Sequence, residues 1–425
     1  MKVSVIGCGR VGLPLALLLA ARGHEVVAVE VDARVRDAVS RGRMPFTDPF
    51  SEPYLAETLG RTFSITGDLA VAARQCQAFV VCIGTPLGPG LLPDLSAVAG
   101  VAEGVLEGLS GKGGPVPGRP ATSGGPEPGG PPAIIIRSTV VPGMTDGLIR
   151  SLERRFGLKA GRDFFVAFCP ERTLEGRSDE LLELPQIIGA RDEASRDAAR
   201  CLFEPLGVEL VDTGLVEAEM AKLACNAYRY IAFALSNELM MIAQSHGARV
   251  HEVLKAANQG YKRGGIPSPG YASGPCLFKD GLFLGTRFPA VDLLLAGWKI
   301  NETLPEYFIA LVERIRPLVR PVVLGLAFKA DCDDTRNSLG LKLARLLEAR
   351  GHEVAAHDPH VTRAGAVSDL RSVLSGAREI FVTVPHRQYR ETQWTELTRL
   401  AGRDCIVADP WLVWGQDDVV TRLVD

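Results

Sequence analysis

The chain has 425 residues, of which 46% are hydrophobic and 23% are charged. This length exceeds what one hydrophobic core organises, so two or three domains are expected, and the apolar fraction excludes bulk disorder. The formal net charge of −3 excludes a global electrostatic attraction to nucleic acid.

The first thirty residues predict a strand at 3–6, a glycine-rich loop, a helix at 13–22 and a second strand at 25–30. Strand, G-x-G-x-x-G, helix and strand, with an acidic residue at the end, are typical of a dinucleotide-binding βαβ unit. The acidic side chain can accept hydrogen bonds from ribose hydroxyls and would repel a 2′-phosphate, so NAD is favoured over NADP. A tight turn used only for packing is the alternative. The residues expected to contact the cofactor are Gly7, Gly9, Arg10, Val11, Gly12 and Glu30.

Two further buried strands, at 79–83 and 133–139, end in small polar residues. Ligands of open α/β sheets bind at the carboxyl ends of the strands. We therefore expect the cofactor site to include Thr85, Pro86, Ser138 and Thr139. Between these strands, residues 111–132 contain eight glycines and seven prolines, which predicts a flexible surface insertion without a catalytic role.

A long helix is predicted over residues 217–246, and at 1.5 Å per residue it would run about 45 Å, enough to bridge two domains. Helical sequence resumes after residue 280. The segment 349–358 then repeats the pattern of residues 21–30, but residues 328–331 stand where the glycine-rich loop would be. The predicted fold class is α/β, with two Rossmann-like doubly wound domains joined by a long central helix. The predicted boundaries are 1–205, 206–316 with the long helix and Cys276, and 317–425.

The nine cysteines are scattered and form no Cys-x-x-Cys pair, which favours reduced thiols over a disulfide framework or a zinc site. The chain opens on a strand rather than a signal peptide, and its longest apolar stretch is too short for a membrane span. We expect a cytoplasmic protein with no membrane or nucleic-acid partner. Residues 357–360 include two histidines, but a strand end and its turn is the favoured interpretation, because no other ligands are expected nearby. No metal is predicted.

Four clusters carry side chains suited to chemistry. If Pro275 begins a helix, Cys276 lies in its first turn, where the helix dipole favours a thiolate, and Asp280 follows one turn later; a small buried hydrophobe is the alternative for the cysteine. Residues 222, 226 and 229 lie at helical spacing on the long helix. They either border a pocket or form a solvated polar face. Residues 169–176 carry two carboxylates, for which a turn with a surface ion pair is the alternative. Residues 138–143 form the fourth cluster, with a β-turn as the alternative.

Together these motifs resemble the UDP-glucose/GDP-mannose dehydrogenase family over nearly the whole chain outside the insertion. The resemblance depends on residues 7–12, 84–86, 93–96, 137–142, 169–171, 219–226, 274–280, 325–331 and 334–336. It implies that the C6 alcohol of a nucleotide sugar, such as a UDP-sugar, is oxidised to a carboxylate in two hydride transfers to NAD+. The family usually assembles through its long helix, which implies a homodimer or a higher homo-oligomer.

The resemblance also implies roles for individual residues. Cys276 would capture the aldehyde as a thiohemiacetal, with Lys222 and Asn226 stabilising the oxyanion and Asp280 assisting. Glu171, as general base, and Thr139 would hold the water that hydrolyses the thioester. The residues implied to contact the substrate are Glu175, Lys222, Arg229, Lys262, Arg263, Lys329 and Arg336.

Departures from the family pattern lie beside the nucleophile, at Ser273 and Phe278. Other motifs are divided between the glucose and the N-acetylmannosamine branches, so the sugar stays open. Two other functions are alternatives: a 3-hydroxyacid dehydrogenase of the 6-phosphogluconate type, which needs neither the cysteine nor a second Rossmann-like domain, and a non-catalytic NAD-binding sensor or scaffold.

Overall fold

A computed structural model of the chain describes residues 1–88, 93–110, 130–286, 288, 290–362, 366–402 and 404–423. The chain divides into two compact units, Met1–Cys225 and Asn226–Asp425, and each contains its own β-sheet. The insertion predicted at 111–132 lies outside the described residues as far as residue 129. Among the described helices, none is both long enough and apolar enough to cross a membrane.

In its described residues, the first unit contains eight strands, and seven α-helices precede the long one. The strands are β1 Lys2–Ile6, β2 Glu25–Val29, β3 Phe63–Thr66, β4 Ala78–Val81, β5 Ala133–Ile136, β6 Phe165–Phe168, β7 Gln186–Ala190 and β8 Leu210–Thr213. The helices are α1 Gly12–Ala21, α2 Ala33–Ser40, α3 Glu52–Thr58, α4 Leu69–Gln75, α5 Ser96–Ser110, α6 Met144–Phe156 and α7 Glu193–Phe203.

The eight strands form one sheet in the order β3-β2-β1-β4-β5-β6-β7-β8. Neighbouring strands are parallel except for β6 and β7. The middle strands are apolar and buried along their whole length, as expected where helices cover both faces of a sheet. Because β1 lies between β2 and β4, the chain leaves β1 toward one side and returns on the other. A ligand crevice is therefore expected at the carboxyl ends of β1 and β4.

The second unit has a smaller sheet in the order β10-β9-β11-β12-β13, in which only the last pair is antiparallel. Its strands are β9 Pro321–Leu324, β10 Ala355–His357, β11 Glu379–Val382, β12 Ile406–Ala408 and β13 Val420–Arg422. Its helices are α9 Val250–Asn258, α10 Leu277–Gly285, α11 Asp292–Glu302, α12 Leu304–Glu313, α13 Leu339–Ala349, α14 Leu370–Leu374, α15 Arg387–Glu391 and α16 Trp394–Ala401. The long helix α8, Leu215–Ser245, has 31 residues. Two Rossmann-like sheets and a long helix confirm the predicted fold class.

The internal repeat extends to the packing of two glycine pairs. A Cβ added to Gly12 would lie 1.9 Å from the carbonyl oxygen of Gly7, and one added to Gly340 would lie 2.2 Å from that of Gly325. Gly7 and Gly325 both adopt positive φ, +92° and +100°. In each unit, the first helix therefore approaches the end of the first strand so closely that a side chain is excluded. The second unit reaches this contact through a longer loop, residues 326–337, which explains why its sequence lacks the glycine pattern.

Candidate active site

The glycine-rich loop of residues 7–12 joins β1 to α1 beside the carboxylate of Glu30. One carboxylate oxygen accepts from the N–H of Cys8 at 2.8 Å, and the other accepts from the N–H of Asp32 at 2.8 Å. These bonds fix the carboxylate against the loop and leave acceptor capacity, since a carboxylate has about four lone-pair sites. Glu30 is therefore positioned to accept hydrogen bonds from ribose hydroxyls.

The surface of this loop fits the pyrophosphate of a dinucleotide. A Cβ added to Gly9 would meet no heavy atom within 4 Å, so the backbone here borders open space. Val11 is the N-cap of α1 and makes no capping hydrogen bond through its side chain. The N–H of Leu13 donates to the carbonyl of Gly9 at 3.0 Å and Pro14 has no N–H, so it is the dipole of this helix N-terminus that favours an anion.

Two glycine substitutions distinguish an effect on folding stability from an effect on NAD+ affinity. In Gly12→Ala, the new methyl group would collide with the Gly7 carbonyl, so we expect a loss of about 1–3 kcal/mol in unfolding free energy. In Gly9→Ala the methyl group enters open space, so the stability should stay within about 0.5 kcal/mol of the parent while NAD+ binds at least about tenfold more weakly. Urea unfolding and calorimetric titration with NAD+ measure the two effects. Equal NAD+ affinity in Gly9→Ala would contradict the placement of the pyrophosphate.

The loops after β4 and β5 lie side by side. The buried hydroxyl of Thr85 donates to the carbonyl of Thr139 at 2.8 Å, and that of Ser138 donates to the carbonyl of Val81 at 3.2 Å. Pro86 is exposed next to them. Both hydroxyls are thus engaged in holding the loops together, which makes this edge of the crevice rigid.

Glu171 lies at the carboxyl end of β6, where Arg137 and two backbone N–H groups hold its carboxylate. Oε2 pairs with the buried guanidinium of Arg137 at 2.5 Å, and Oε1 accepts from the N–H groups of Arg172 and Thr173, each at 2.7 Å. Arg137 is itself held by Gln186 at 2.8 Å. Burial alone would raise the pKa of Glu171, but the charge of Arg137 and the hydrogen bonds outweigh it, so the pKa is lowered. The alternative of a surface ion pair is wrong, because the pair is buried.

Glu175, four residues after Glu171, contacts the glycine-rich loop. Its carboxylate lies 3.2 Å from the Nε of Arg10, and both side chains are largely buried. The guanidinium of Arg10 also stacks over the ring of Phe46, 5.0 Å from the ring centroid. A residue implied to contact substrate and one predicted to contact the cofactor are thus joined in one ion pair.

Glu219 attaches the start of α8 to the first unit. Its fully buried carboxylate accepts from the N–H groups of Gly143 at 2.5 Å and Thr145 at 2.8 Å, and from the Thr145 hydroxyl at 2.5 Å. These groups form the N-terminus of α6, so one helix caps another. Lys222, one turn later, is buried as well, which rules out a solvated polar face at this position.

Glu219→Ala is expected to lower the unfolding free energy by about 2–4 kcal/mol, because three donors, two of them buried, lose their acceptor. Glu217→Ala is the matched control, since Glu217 is exposed on the same helix and its loss should change stability by no more than about 0.5 kcal/mol. Urea unfolding of the two variants tests the assignment. Equal losses would show that the Glu219 cap contributes nothing specific.

In the second unit, Cys276 is exposed at the N-cap of α10. The helix begins at Leu277, two residues later than the predicted start at Pro275, so the cysteine precedes the first turn rather than lying in it. Its carbonyl accepts from the N–H of Asp280 at 3.0 Å. The alternative of a small buried hydrophobe is wrong. Burial raises the pKa of the Cys82 and Cys169 thiols to about 12, which suits them to a structural role instead.

Asp280 and Asn226 meet within the second unit. The Asn226 amide donates to Oδ2 of Asp280 at 2.7 Å, and Asp280 is fully buried. The carboxylate accepts this hydrogen bond and so fixes the orientation of the Asn226 amide. Arg229, one turn along α8, is exposed, as are Lys262 and Arg263 in the loop after α9.

The cysteine loop packs on the long loop that replaces the glycine pattern in the second unit. The Ser273 hydroxyl donates to the carbonyl of Phe328 at 2.9 Å, and the N–H of Gly274 donates to the carbonyl of Asn337 at 3.3 Å. A Cβ on Gly274 would lie 2.6 Å from the Phe328 ring. Ser273, a departure from the family pattern, thus stabilises this contact, which brings Cys276 and Lys329 onto adjoining loops.

A cleft of about 560 Å³ opens between α10, α11 and the start of α13. It is lined by the side chains of Arg336, Lys342 and Arg345, with Trp298 and Phe278 on its apolar side. Arg336 pairs with the carboxylate of Asp334 at 2.8 Å. Cations beside an aromatic ring can bind a diphosphate and stack on a base. Lys342 and Arg345 were not identified from the sequence, since their spacing on α13 is that of any helix surface.

The surroundings of the two histidines near β10 differ from the prediction that no other metal ligands lie nearby. His357 is buried and bonded to the Tyr389 hydroxyl at 3.0 Å, whereas His360 lies beside Asp331 and His386. The expectation that no other ligands lie nearby is therefore wrong for His360, because the loops after β9 and β11 approach it.

Comparison with known sequences decides the family. Family sequence profiles match residues 1–207 as the NAD binding domain, 216–302 as the central domain and 322–416 as the UDP binding domain of UDP-glucose/GDP-mannose dehydrogenases. The chain belongs to the UDP-glucose/GDP-mannose dehydrogenase family. It is therefore an NAD-dependent oxidoreductase of the nucleotide-sugar dehydrogenase type.

Individual members of the family align over most of this dehydrogenase. A UDP-N-acetyl-D-mannosamine dehydrogenase of Pyrococcus horikoshii is 31% identical over 412 residues, which cover 93% of this chain and 92% of the relative. A GDP-mannose 6-dehydrogenase of Pseudomonas syringae pv. syringae is 32% identical, covering 85% and 81%. The solved structure of a Pyrococcus horikoshii UDP-D-ManNAc dehydrogenase superimposes with a TM-score of 0.84 at 29% identity, covering 94% and 93%.

Proposed function

We propose that this dehydrogenase oxidises the C6 alcohol of a UDP-linked N-acetylhexosamine, UDP-N-acetylmannosamine above all, to the uronic acid. The observation that carries the reaction type is the exposed thiol of Cys276 at a helix N-cap, on a loop that packs against the loop of Lys329. The choice of sugar is supported by the Pyrococcus horikoshii relative named above, which aligns over nearly the full length of both chains.

Cys276 acts as the nucleophile of the second oxidation. The thiolate attacks the C6 aldehyde, a carbon–sulfur bond forms, and the aldehyde oxygen becomes the thiohemiacetal hydroxyl by taking a proton. Loss of hydride from C6 and of this proton converts the adduct to a thioester. Bound NAD+ supplies the hydride acceptor for each of the two oxidations. Lys222 and Asn226 stabilise the charge on the C6 oxygen, and Asp280 fixes the amide of Asn226.

Hydrolysis of the thioester needs a water molecule positioned by Glu171 and Thr139. Water adds to the carbonyl carbon, the carbon–sulfur bond breaks, and the thiol and the carboxylate are released. Because Arg137 holds Glu171 ionised, this carboxylate is in the form that orients the water and accepts its proton as the water attacks. Arg137 and Gln186 are positioning residues for this step.

The nucleotide binds in the second unit, with its diphosphate beside Lys329 and Arg336 and the cations Lys342 and Arg345 of the cleft. The exposed side chains of Arg229, Lys262 and Arg263 are available to a substrate or to a neighbouring subunit. Glu175 acts at the cofactor loop through Arg10 rather than at the nucleotide.

A homodimer through α8 is part of the proposal. Three large apolar side chains on this helix, Tyr228, Leu235 and Ile242, are exposed by 72%, 48% and 49%. They recur every seven residues, so they lie along one face of the helix. Such a stripe is typical of a helix that packs against a partner.

Initial rates of NADH formation with a panel of nucleotide sugars test the substrate. The panel comprises UDP-N-acetylmannosamine, UDP-glucose, UDP-N-acetylglucosamine, UDP-galactose and GDP-mannose, each with NAD+ and with NADP+. We expect kcat/KM to be at least about tenfold higher for UDP-N-acetylmannosamine than for the others, and NAD+ to be preferred, because Glu30 repels a 2′-phosphate. A preference for GDP-mannose would contradict both the proposed base and the proposed sugar. Cofactor binding with no turnover of any member would favour the sensor alternative.

A further inference from the structure

Three potential metal ligands meet at the carboxyl end of the second sheet, and the proposed function uses none of them. Asp331 follows β9, His360 follows β10 and His386 follows β11, and one ligand atom of each lies within 4.8 Å of the other two. The closest pairs join Oδ1 of Asp331 to Nε2 of His360, at 3.5 Å, and to Nδ1 of His386, at 3.7 Å.

We infer that Asp331, His360 and His386 bind a divalent transition-metal ion of the zinc type. Two imidazoles and a carboxylate suit zinc, whereas magnesium and calcium prefer oxygen ligands alone. With zinc–ligand bonds of about 2.0–2.1 Å in a tetrahedral site, ligand atoms lie about 3.4 Å apart. The two closest pairs already meet this spacing, and the third needs to shorten by less than about 1.5 Å. Water completes the fourth position.

His386 is oriented for metal binding by a buried carboxylate behind it. Its Nε2 lies 3.0 Å from Oδ2 of Asp358, and both side chains are fully buried. Because a carboxylate only accepts, Nε2 carries the proton and Nδ1 keeps its lone pair on the side of Asp331. Metal-ligating histidines are commonly held by such a carboxylate. Asp358 is itself fixed by the N–H groups of Leu326 at 2.7 Å and Ala327 at 2.8 Å.

The lone pair on Nδ1 of His386 accepts the N–H of Asp331 at 3.0 Å, and Oδ1 of Asp331 accepts the N–H of Arg387 at 3.1 Å. Metal binding exchanges the first bond for a metal–nitrogen bond, so the loop at Asp331 must shift to give its N–H another acceptor. The ion then joins the loops after three adjacent strands, including the loop that carries Lys329. This effect on the nucleotide loop depends on the proposed function, whereas metal binding does not.

Calorimetric titration of the full-length, chelator-treated protein with Zn²⁺ tests the site. Because Cys225 and Cys276 are exposed thiols that also bind zinc, both are replaced by serine in every protein compared. We expect one zinc ion per chain and a higher melting temperature with zinc than without it. His360→Ala and Asp331→Asn should each weaken zinc binding at least tenfold. His246→Ala, which removes an exposed histidine after α8, is the matched control and should bind as the parent does.

The outcomes separate the site from other sources of zinc. No saturable zinc binding, equal affinity in His360→Ala, or equal affinity for Mg²⁺ would overturn the inference. Co²⁺ in place of zinc adds a spectroscopic check, because thiolate ligation produces an intense charge-transfer band that nitrogen and oxygen ligands do not. Such a band would assign the ion to a remaining cysteine. Activity is measured on the parent protein with Cys276 intact, so zinc binding by the serine variants together with an inactive parent would leave the metal site standing while the proposed function fails.

Discussion

Cys276→Ser is expected to lower the steady-state rate of NADH production from the preferred nucleotide sugar by at least about a thousandfold. The serine hydroxyl is too weakly acidic to form the adduct from which the second hydride leaves. Cys276 lies exposed at the surface of the second unit, so the substitution should leave the melting temperature unchanged. Rate assays with thermal unfolding measure both. A rate within tenfold of the parent would remove the cysteine from the mechanism.

Cys225→Ser is the matched control for this variant. Cys225 is the other exposed cysteine, and no role is assigned to it, so its replacement should leave the rate within about twofold of the parent. Alkylation of the native protein checks independently that the Cys276 thiol is accessible. Burial raises the pKa of Cys76 and Cys405 to about 12, so Cys276 should react long before them.

Glu171→Gln is expected to slow turnover by about a hundredfold to ten-thousandfold while the two oxidations continue. Only the final hydrolysis needs the carboxylate, so the variant should release a burst of two NADH per site and then stall. The Cys276 peptide should then carry the sugar as a thioester, which mass spectrometry detects. Glu175→Gln, which removes the pair with Arg10 instead, should not accumulate this adduct. A stalled variant without adduct would contradict the assigned step.

The pH dependence follows from the lowered pKa of Glu171. The carboxylate is in its charged form above a pKa that lies below the ordinary value of 4.5. Its contribution to turnover should therefore be constant from about pH 5 upward and be lost only in stronger acid. The same sign holds for the fold: its ion pair with Arg137 stabilises the protein above pH 4.5 and is lost as the pH falls through the lowered pKa. An acid limb near neutral pH that vanishes in Glu171→Gln would contradict this.

Short sequence patterns predict several features of this molecule correctly. The glycine spacing of residues 7–12 predicts the cofactor loop, because only glycine permits the close approach seen at Gly12. The lack of helix breakers predicts α8, and the pattern around Cys276 predicts a helix start within two residues of the observed one. In each case, the physical cause lies within a few residues along the chain.

Other features depend on pairs that the sequence keeps far apart. Arg137 and Glu171 are 34 positions apart, and Glu219 caps a helix 74 positions earlier. The cluster of Asp331, His360 and His386 exists because β9 lies between β10 and β11 in the sheet. Strand order cannot be determined from a single sequence. The sequence therefore predicts which helix, strand or loop carries a side chain better than it predicts which distant residue that side chain contacts.

The number of NADH molecules released per molecule of sugar consumed tests the two-step oxidation through Cys276. With limiting UDP-N-acetylmannosamine and excess NAD+, we expect two NADH for each sugar and a uronic acid as the only product. One NADH per sugar, with an aldehyde or ketone as the product, would show a single oxidation and would contradict the thioester mechanism through Cys276.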